Sequence, residues 1–270
     1  MRLVVNDLRT FYASRQGQVA RRLIVHEIKR ACPDFPNGRV VGVGYAGPFL
    51  EAMREDAAEV FALMPQEQGA EPWLSDGRVA AALVDETNLP LGDNSADCVV
   101  LAHSLEASDR VNRLLREVWR ILADGGRLLV LAPNRRGLWS FADTNPFGHG
   151  RPYSSTQLKQ LLRANMFNPL RRARALYMPP SQSRLILRTA VAWERVGRRF
   201  ARAFSGVLII EAEKSLYAGT PLLVGAKKLK HRVYAPFKHP AGAQAAAYKT
   251  PAEPSGLATS LPLLKIKPPL

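Results

Sequence analysis

Apolar and polar residues follow two different spacings within residues 89–131, and the change of spacing divides this segment into three elements. Residues 97–102 form a nearly continuous apolar run after the leading Asp97, which is typical of a strand in a parallel sheet. Gly125-Gly126 supplies a helix-ending turn, and a second apolar run follows at 127–131. A strand, a helix and a strand within about 35 residues predict one parallel crossover. The helix is marked by six apolar residues at helical spacing: Val111, Leu114, Leu115, Val118, Ile121 and Leu122.

The same alternation of apolar runs and helical patterns continues on both sides of this crossover. Three strands are predicted upstream, at 39–43, 59–64 and 79–84, with a helix at 48–57 after the first. Alternating strands and helices of this kind predict an α/β fold with a mostly parallel sheet. The remaining predicted elements are helices at 7–31 (with a break at Gly17), at about 155–164 and at 184–204, and strands near 170–177 and 206–210.

The length and composition predict one main domain with additions at both ends. At 270 residues, one α/β domain is expected; we place it at residues 38–225, after a helical segment at 1–37. Residues 226–270 are basic and rich in Pro and Ala, which predicts a disordered tail. Cys32 and Cys98 are too far apart in sequence to predict a disulfide framework or a metal site. Since no apolar segment is long enough for a signal peptide or a spanning helix, we expect a cytoplasmic protein.

A glycine-rich loop joins the first predicted strand to the helix that follows it. Gly42, Gly44 and Gly47 match the pattern GxGxxG, in which glycines allow the backbone to approach a bound ligand. A nicotinamide-dependent oxidoreductase with this pattern should also carry an acid at the end of the second strand. That strand ends in Ala-Leu-Met-Pro (62–65), and the nearest carboxylate is Glu67. The oxidoreductase therefore remains the weaker alternative.

The order of these elements resembles the class I S-adenosylmethionine-dependent methyltransferase domain, type 11 subfamily. The resemblance is carried by LPLGDNSADCVVLAHSLEASDRVNRLLREVWRILADGGRLLVL (89–131) and by Asp85, four residues before Leu89-Pro90. Leu-Ala-His-Ser-Leu (101–105) and Leu-Leu-Arg-Glu-Val (114–118) also resemble a bacterial branch of the subfamily that is sometimes encoded beside hydroxyacylglutathione hydrolase. The resemblance implies a Rossmann-like, doubly wound, mostly parallel seven-stranded sheet with helices on both faces.

The resemblance also implies S-adenosylmethionine as the cofactor. In the family, an acid in the position of Asp85 contacts the adenine amino group. The glycine loop departs from the family pattern of an acid followed by Gly-x-Gly-x-Gly, because Gly42, Ala46 and Pro48 stand at the acid and at the second and third glycines. The acid that helps to hold the methionine part of the cofactor is therefore absent. The residues that we expect to bind cofactor are Gly42, Gly44, Tyr45, Gly47, Asp85, Glu86 and His103.

His103 is the expected catalytic residue. It follows the fourth predicted strand, and open α/β sheets bind their ligands at the carboxyl ends of strands. Methyl transfer from a sulfonium requires alignment of donor and acceptor, and an acceptor that carries a proton also requires a base. The alternative is a histidine that only bonds to backbone at a strand end. No metal ligands are predicted.

Positive charge is concentrated in the second half of the chain. The net charge of the chain is +15, of which residues 1–150 contribute −2 and residues 151–270 contribute +17. At 100° per residue, the sequence 184–204 places six arginines on one side and apolar residues on the other, which predicts a basic amphipathic helix between the last two strands. Charge of this kind points to an acidic partner or surface. The six arginines are Arg184, Arg188, Arg195, Arg198, Arg199 and Arg202.

Two functions from different classes remain open. The first is methyl transfer from S-adenosylmethionine to a small-molecule or lipid-like acceptor. The second is a non-catalytic protein with a methyltransferase fold, a pseudoenzyme, that binds a protein partner or an acidic surface through its basic half. The expected partners are hydroxyacylglutathione hydrolase, hinted at by the resemblance, and an anionic membrane surface contacted by 184–204. Nucleic acid is not favoured, since no known RNA-binding module is present.

Overall fold

A seven-stranded sheet forms the centre of the fold in the computed structural model, which describes residues 3–31, 38–55, 57–75 and 78–215. The strand order is β5-β2-β1-β6-β7-β9-β8, and β9 runs antiparallel to both of its neighbours. This confirms the predicted doubly wound, mostly parallel sheet; the predicted tail at 226–270 lies outside the described residues. The strands are β1 (Arg39–Gly44), β2 (Glu59–Pro65), β5 (Ala81–Val84), β6 (Ala96–Ala102), β7 (Leu122–Pro133), β8 (Phe167–Ala175) and β9 (Val207–Lys214), and β3 (Leu74–Ser75) and β4 (Arg78–Val79) form a separate antiparallel pair.

Helices cover both faces of this sheet. One apolar core contains buried residues of α1 (Val5–Ala13), α2 (Arg15–Ala31) and α3 (Gly47–Leu50). The core on the other face contains buried residues of α4 (Val111–Ile121) and α5 (Ser155–Ala164). Two more helices, α6 (Arg184–Arg188) and α7 (Ala190–Phe200), follow β8 and precede β9. Within the described residues, no helix has the length and apolar character needed to cross a lipid bilayer.

The predicted crossover is formed by β6, α4 and β7. Four apolar residues of α4 (Leu114, Leu115, Val118 and Ile121) are fully buried, as its spacing predicts. Arg120 holds the loop before β6, because its guanidinium donates to the carbonyl oxygens of Leu89 at 2.9 Å and of Leu91 at 2.8 Å. It also pairs with Glu117 at 2.8 Å. The helix therefore packs through its apolar face and ties down the preceding loop through one arginine.

Two upstream helices differ from the prediction. The helix after the glycine loop was predicted at 48–57 but ends at Leu50, and residues 51–55 form turns. Three of those five residues are charged, which leaves little apolar surface to pack on the sheet. The break within 7–31 lies at Ser14 rather than at Gly17, because the Ser14 hydroxyl donates to the Phe11 carbonyl at 2.6 Å and caps the start of α2. Gly17 lies inside α2, where a Cβ would come within 2.0 Å of the Phe11 carbonyl oxygen.

The prediction of one continuous helix over 184–204 is wrong. The Thr189 hydroxyl donates to the carbonyl oxygens of Leu185 and Ile186, and back-bonding of this kind bends helices. The chain therefore forms α6 and α7 with a break at Thr189, and α7 ends at Phe200. Arginines of this segment line a groove beside α2, and three apolar side chains of α7 outside that lining are exposed: Trp193, Val196 and Phe200.

Two buried carboxylates connect α7 to the rest of the fold. Glu27 of α2 pairs with Arg30 at 2.9 Å and with Arg198 of α7 at 2.7 Å. Glu194 of α7 accepts the Tyr177 N–H at 2.6 Å. Burial raises the pKa of the Glu194 carboxyl to about 7, and backbone donors and Arg198 offset only part of that rise.

We predict that Leu115→Ala lowers the free energy of unfolding by about 2–5 kcal/mol, because it removes a fully buried side chain from the α4 interface. Arg116→Ala is the matched control, since its neighbouring side chain is exposed and should change stability by less than about 0.5 kcal/mol. Urea denaturation measures both. Equal losses in the two variants would contradict the assigned apolar face of α4.

We predict that Glu194 makes the protein less stable as the pH rises from about 4.5 to about 7. The pKa is higher in the folded than in the unfolded state, so the stabilisation is complete below the unfolded value and is lost as pH rises through the folded one. The expected loss is on the order of 1–3 kcal/mol. Glu194→Gln keeps the acceptor for Tyr177 but cannot ionise, so its unfolding free energy, followed by urea denaturation, should be flatter over this range. A wild-type slope that survives in Glu194→Gln would refute the assignment.

Candidate active site

The strand order reverses at β1, whose neighbours are β2 on one side and β6 on the other. Ligands of open α/β sheets bind outside the carboxyl ends of the strands at such a point. Here those ends are Gly44 and Ala102, which are paired in register. The Tyr45 N–H donates to the Ala102 carbonyl at 2.9 Å. The loops after β1 and β6 therefore meet directly, and this is the place where a site is expected.

The three glycines of the predicted cofactor loop are each in close contact with the chain itself. A Cβ at Gly42 would lie 2.6 Å from the Ala46 Cβ, so β1 and α3 pack without a gap. Gly44 has a φ of +88°, and a Cβ there would lie 2.3 Å from the Ala102 carbonyl oxygen. A Cβ at Gly47 would lie 3.2 Å from the Trp73 ring. Internal packing thus accounts for the glycine pattern without a bound ligand.

Three buried side chains, Tyr12, His103 and Glu106, lie in a row at the carboxyl end of β6. His103 has a φ of +50°, a conformation that is uncommon for a residue with a side chain. Its Nε2 lies 2.6 Å from the Tyr12 hydroxyl, and its Nδ1 lies 3.4 Å from Glu106 Oε1. The arrangement fits the tautomer in which Nδ1–H faces the carboxylate and Nε2 accepts from the tyrosine. Burial, with smaller contributions from Tyr45 and Glu106, raises the pKa of Tyr12, so the hydroxyl keeps its proton at neutral pH.

Aromatic side chains fill the space beside this row. The Tyr12 ring stacks on Tyr45 with 5.7 Å between centroids and meets Phe49 edge-on at 5.8 Å. The Tyr45 hydroxyl crosses to the loop after β2, where it donates to Glu71 at 2.7 Å. Phe147 covers His103 from another side, at 5.0 Å between centroids. Helix α1, through Tyr12, therefore closes the carboxyl ends of β1 and β6.

Asp85 and Glu86, the other predicted cofactor residues, follow β5, which is two strands from β1 in the sheet. Asp85 is exposed, and its Oδ1 accepts from both the backbone N–H and the hydroxyl of Thr87 at 2.8 Å. These hydrogen bonds lower the pKa of Asp85. Glu86 is buried and accepts from the Ser108 hydroxyl at 2.6 Å. Asp85 is thus a rigid, ionised acceptor at the strand end, whereas Glu86 is engaged with the loop after β6.

Several buried polar atoms near His103 lack a hydrogen-bond partner among the described residues. They are Glu106 Oε2, Gln68 Oε1 and Ser104 Oγ. Glu106 and Gln68 also line a cavity of about 10 Å³, together with His103 and His149. Buried acceptors without donors are costly, so this cluster has unused capacity to bind a small polar group. Sequence reasoning missed Tyr12, Gln68 and Glu71, because each reaches the site from a different part of the chain.

The arrangement fits S-adenosylmethionine only if α1 moves. The cavity of about 10 Å³ holds about one water molecule, and the buried Tyr12 ring, stacked on Tyr45, packs against His103. Asp85 and the backbone of the glycine loop remain suitable contacts for the adenosine part. Among the described residues, no group of three His, Cys, Asp or Glu side chains could hold a metal ion.

Comparison with known proteins agrees with this architecture. Residues 39–130 match the model of a family described as a methyltransferase domain. That segment runs from β1 to β7 and includes the crossover, the glycine loop, Asp85 and His103. No curated protein matches the chain.

Solved structures with the same fold include proteins of different activities. A possible histamine N-methyltransferase from Thermotoga maritima is 20% identical, with a TM-score of 0.56 over 78% of this chain and 96% of that one. The [4+2]-cyclase SpnF is 24% identical, with a TM-score of 0.51 over 74% and 83%. A methyltransferase bound to the Haloferax volcanii activator Trm112 is 15% identical, with a TM-score of 0.56 over 79% and 98%.

At these identities the structural neighbours establish the fold and leave the activity open. The matched family is described as a methyltransferase domain, and solved structures with this fold include S-adenosylmethionine-dependent methyltransferases. The strand order, the reversal at β1 and the match over 39–130 agree with one another. Residues 39–130 therefore match a methyltransferase family, and they lie within a sheet of residues 39–214 that has the class I S-adenosylmethionine-dependent methyltransferase fold.

Proposed function

We propose that the chain transfers a methyl group from S-adenosylmethionine to a small-molecule or lipid-like acceptor at the carboxyl end of β6. The observation that carries this proposal is the row of Tyr12, His103 and Glu106, which lies at the reversal of strand order. A buried histidine backed by a carboxylate is suited to accept a proton. The partnerless oxygen of Glu106 provides further capacity for a polar group beside it.

The roles of the residues follow from their geometry. S-adenosylmethionine, when bound, supplies an electrophilic methyl group. His103 Nε2 would take the proton of the acceptor once the Tyr12 hydroxyl has left it, and Glu106 would orient the imidazole and stabilise its charged form. Asp85 would accept a hydrogen bond from the adenine amino group. The aromatic side chains around His103 would exclude water from the reacting atoms.

Access to this site would depend on α1. Tyr12 holds the reactive nitrogen of His103 and stacks on the loop after β1. Cofactor binding and the observed packing of Tyr12 would therefore exclude each other. A ligand must offset the lost contacts before it binds, which reduces its apparent affinity.

The second candidate is a non-catalytic protein with this fold. It is favoured because aromatic side chains cover the carboxyl ends of β1 and β6. The tight contacts of Gly42 and Gly44 serve the chain's own packing, and the acid of the family's loop is absent at Gly42. In this case, partner binding through the basic half would be the function. Hydroxyacylglutathione hydrolase stays a proposed partner; the Trm112 complex is a case in which a protein of this fold is held by another protein.

We predict that Tyr12→Ala strengthens binding of S-adenosylhomocysteine at least severalfold in calorimetric titration, because it removes the side chain that covers the strand ends. Tyr12→Phe keeps the ring and loses only the hydroxyl, so its gain should be smaller. Phe141→Ala, at an exposed aromatic, is the control and should behave as wild type. Circular dichroism verifies that each variant is folded. If neither wild type nor folded Tyr12→Ala binds at millimolar ligand, methyl transfer is rejected and the non-catalytic function stands.

We predict that Asp85→Asn weakens S-adenosylhomocysteine binding about tenfold, because a charged acceptor contributes roughly twice as much as a neutral one to a hydrogen bond. Asp143→Asn, at another exposed aspartate, should leave binding unchanged. The same calorimetric titration measures both variants. Equal affinities for Asp85→Asn and wild type would remove Asp85 from the cofactor site.

A further inference from the structure

A groove of about 1,020 Å³ lies between α2 and the pair α6–α7. One face of α2 forms one wall, and the facing sides of α6 and α7 form the other. The volume is at the upper end of the range for small-molecule sites. Aliphatic side chains from both walls line it, among them Val19, Leu23, Leu187 and Val191. This cavity is separate from the cluster around His103 and far larger than the cavity there.

Five arginines line the groove without any carboxylate partner among the described residues. Arg15 and Arg22 belong to the α2 wall; Arg184, Arg188 and Arg195 belong to the opposite wall. Guanidinium groups bind phosphate and carboxylate through paired, charge-assisted hydrogen bonds. Several like charges around one cavity also repel one another, so an anion between them relieves repulsion. The unmatched charge points to an anionic ligand.

The two carboxylates of the groove do not cancel this charge. Glu27 is already paired with Arg30 and with Arg198, the sixth arginine of the lining. Glu194 accepts the Tyr177 N–H, an interaction within the protein. Both carboxylates are buried, whereas Arg22 and Arg188 are exposed. An incoming anion would therefore meet the arginines first.

The apolar floor decides which kind of anion fits. Inorganic phosphate would use the arginines but leave Leu23, Leu187 and the exposed Val191 uncovered. Burial of apolar surface is favourable, so a ligand with an apolar chain gains affinity that a small ion cannot. The chain's own residues 216–270 contain eight Lys or Arg and one Glu; a segment of that charge does not complement the groove.

We propose that this groove binds an anionic amphiphile, which has a phosphate or carboxylate head group and an apolar chain. The head group lies on the arginines of the two walls, and the chain lies on the aliphatic floor. The site does not depend on methyl transfer, because none of its residues belongs to the His103 cluster. One end of the groove reaches Ala13, which follows Tyr12 in sequence, so a lipid-like acceptor would be bound near the candidate site.

The direct test is calorimetric titration of the full chain with dodecyl phosphate below its critical micelle concentration. We expect saturable binding that is at least tenfold tighter than that of inorganic phosphate or of dodecyltrimethylammonium, which has the same chain and the opposite charge. Dodecyl phosphate that binds no better than inorganic phosphate would overturn the proposal. Equal binding of the cationic amphiphile would overturn it as well.

The arginine contacts are tested with a pair of variants of equal charge. Arg22→Gln with Arg188→Gln removes one arginine from each wall and should weaken dodecyl phosphate binding about tenfold or more. Arg116→Gln with Arg163→Gln removes two exposed arginines of α4 and α5, on the other face of the sheet, and should leave binding unchanged. If both pairs of substitutions weakened dodecyl phosphate binding equally, the effect would come from net charge, and the groove would be refuted as the binding site.

The apolar contact has a matched control on the same helix. Val191 lines the groove, Val196 does not, and both are 56% exposed. Val191→Gln should weaken binding severalfold, whereas Val196→Gln should not. The opposite order would place the ligand on the outer flank of α7 and contradict the proposal.

Vesicle binding distinguishes a membrane phospholipid from a free amphiphile as the ligand, once binding of dodecyl phosphate has been observed. One outcome is that phosphatidylglycerol vesicles capture the protein, phosphatidylcholine vesicles do not, and the Arg22→Gln/Arg188→Gln double variant is not captured. This outcome would support the groove and identify its ligand as a membrane phospholipid. Binding of dodecyl phosphate without vesicle capture would support the groove and assign a free amphiphile. Vesicle capture that survives the loss of both arginines would contradict the groove as the site of lipid binding.

Discussion

The hydrogen bond between the Tyr12 hydroxyl and His103 Nε2 is the contact on which the account of the site depends. It joins the N-terminal helix α1 to the loop after β6, across 91 residues of sequence. The same tyrosine stacks on Tyr45 of the glycine loop. One side chain thereby determines whether the strand ends at the reversal of the sheet are open or covered.

This constraint separates two parts of the molecule that a methyltransferase would use together. The sheet and the crossover provide the architecture of the family, and their packing does not need a ligand. The carboxyl ends of β1 and β6, in contrast, are covered by the chain's own aromatic side chains. Opening them would break the packing of Tyr12 and its hydrogen bond to His103. Helix α2 forms one wall of the arginine groove and directly follows α1, the helix that covers His103. A ligand in the groove would therefore contact the helix next to α1.

The sheet was predictable from sequence because buried parallel strands leave local apolar runs, and α4 because its apolar residues repeat at helical spacing. The place of His103 directly after a strand was predictable for the same local reason, whereas its role as a base stays a prediction. Tyr12 and Glu71 were not predictable, because a contact between distant segments leaves no pattern near either residue. The break at Thr189 was also missed: it arises from a side-chain hydroxyl that bonds to backbone, which a helical wheel does not represent.

We expect cofactor binding and the observed packing of Tyr12 to exclude each other. Hydrogen exchange of the backbone amides of α1, measured with and without saturating S-adenosylhomocysteine, tests it most directly. We expect bound ligand to speed exchange in α1 and to leave exchange in α4, on the opposite face, unchanged. Bound ligand with equal or slower exchange throughout α1 would contradict it.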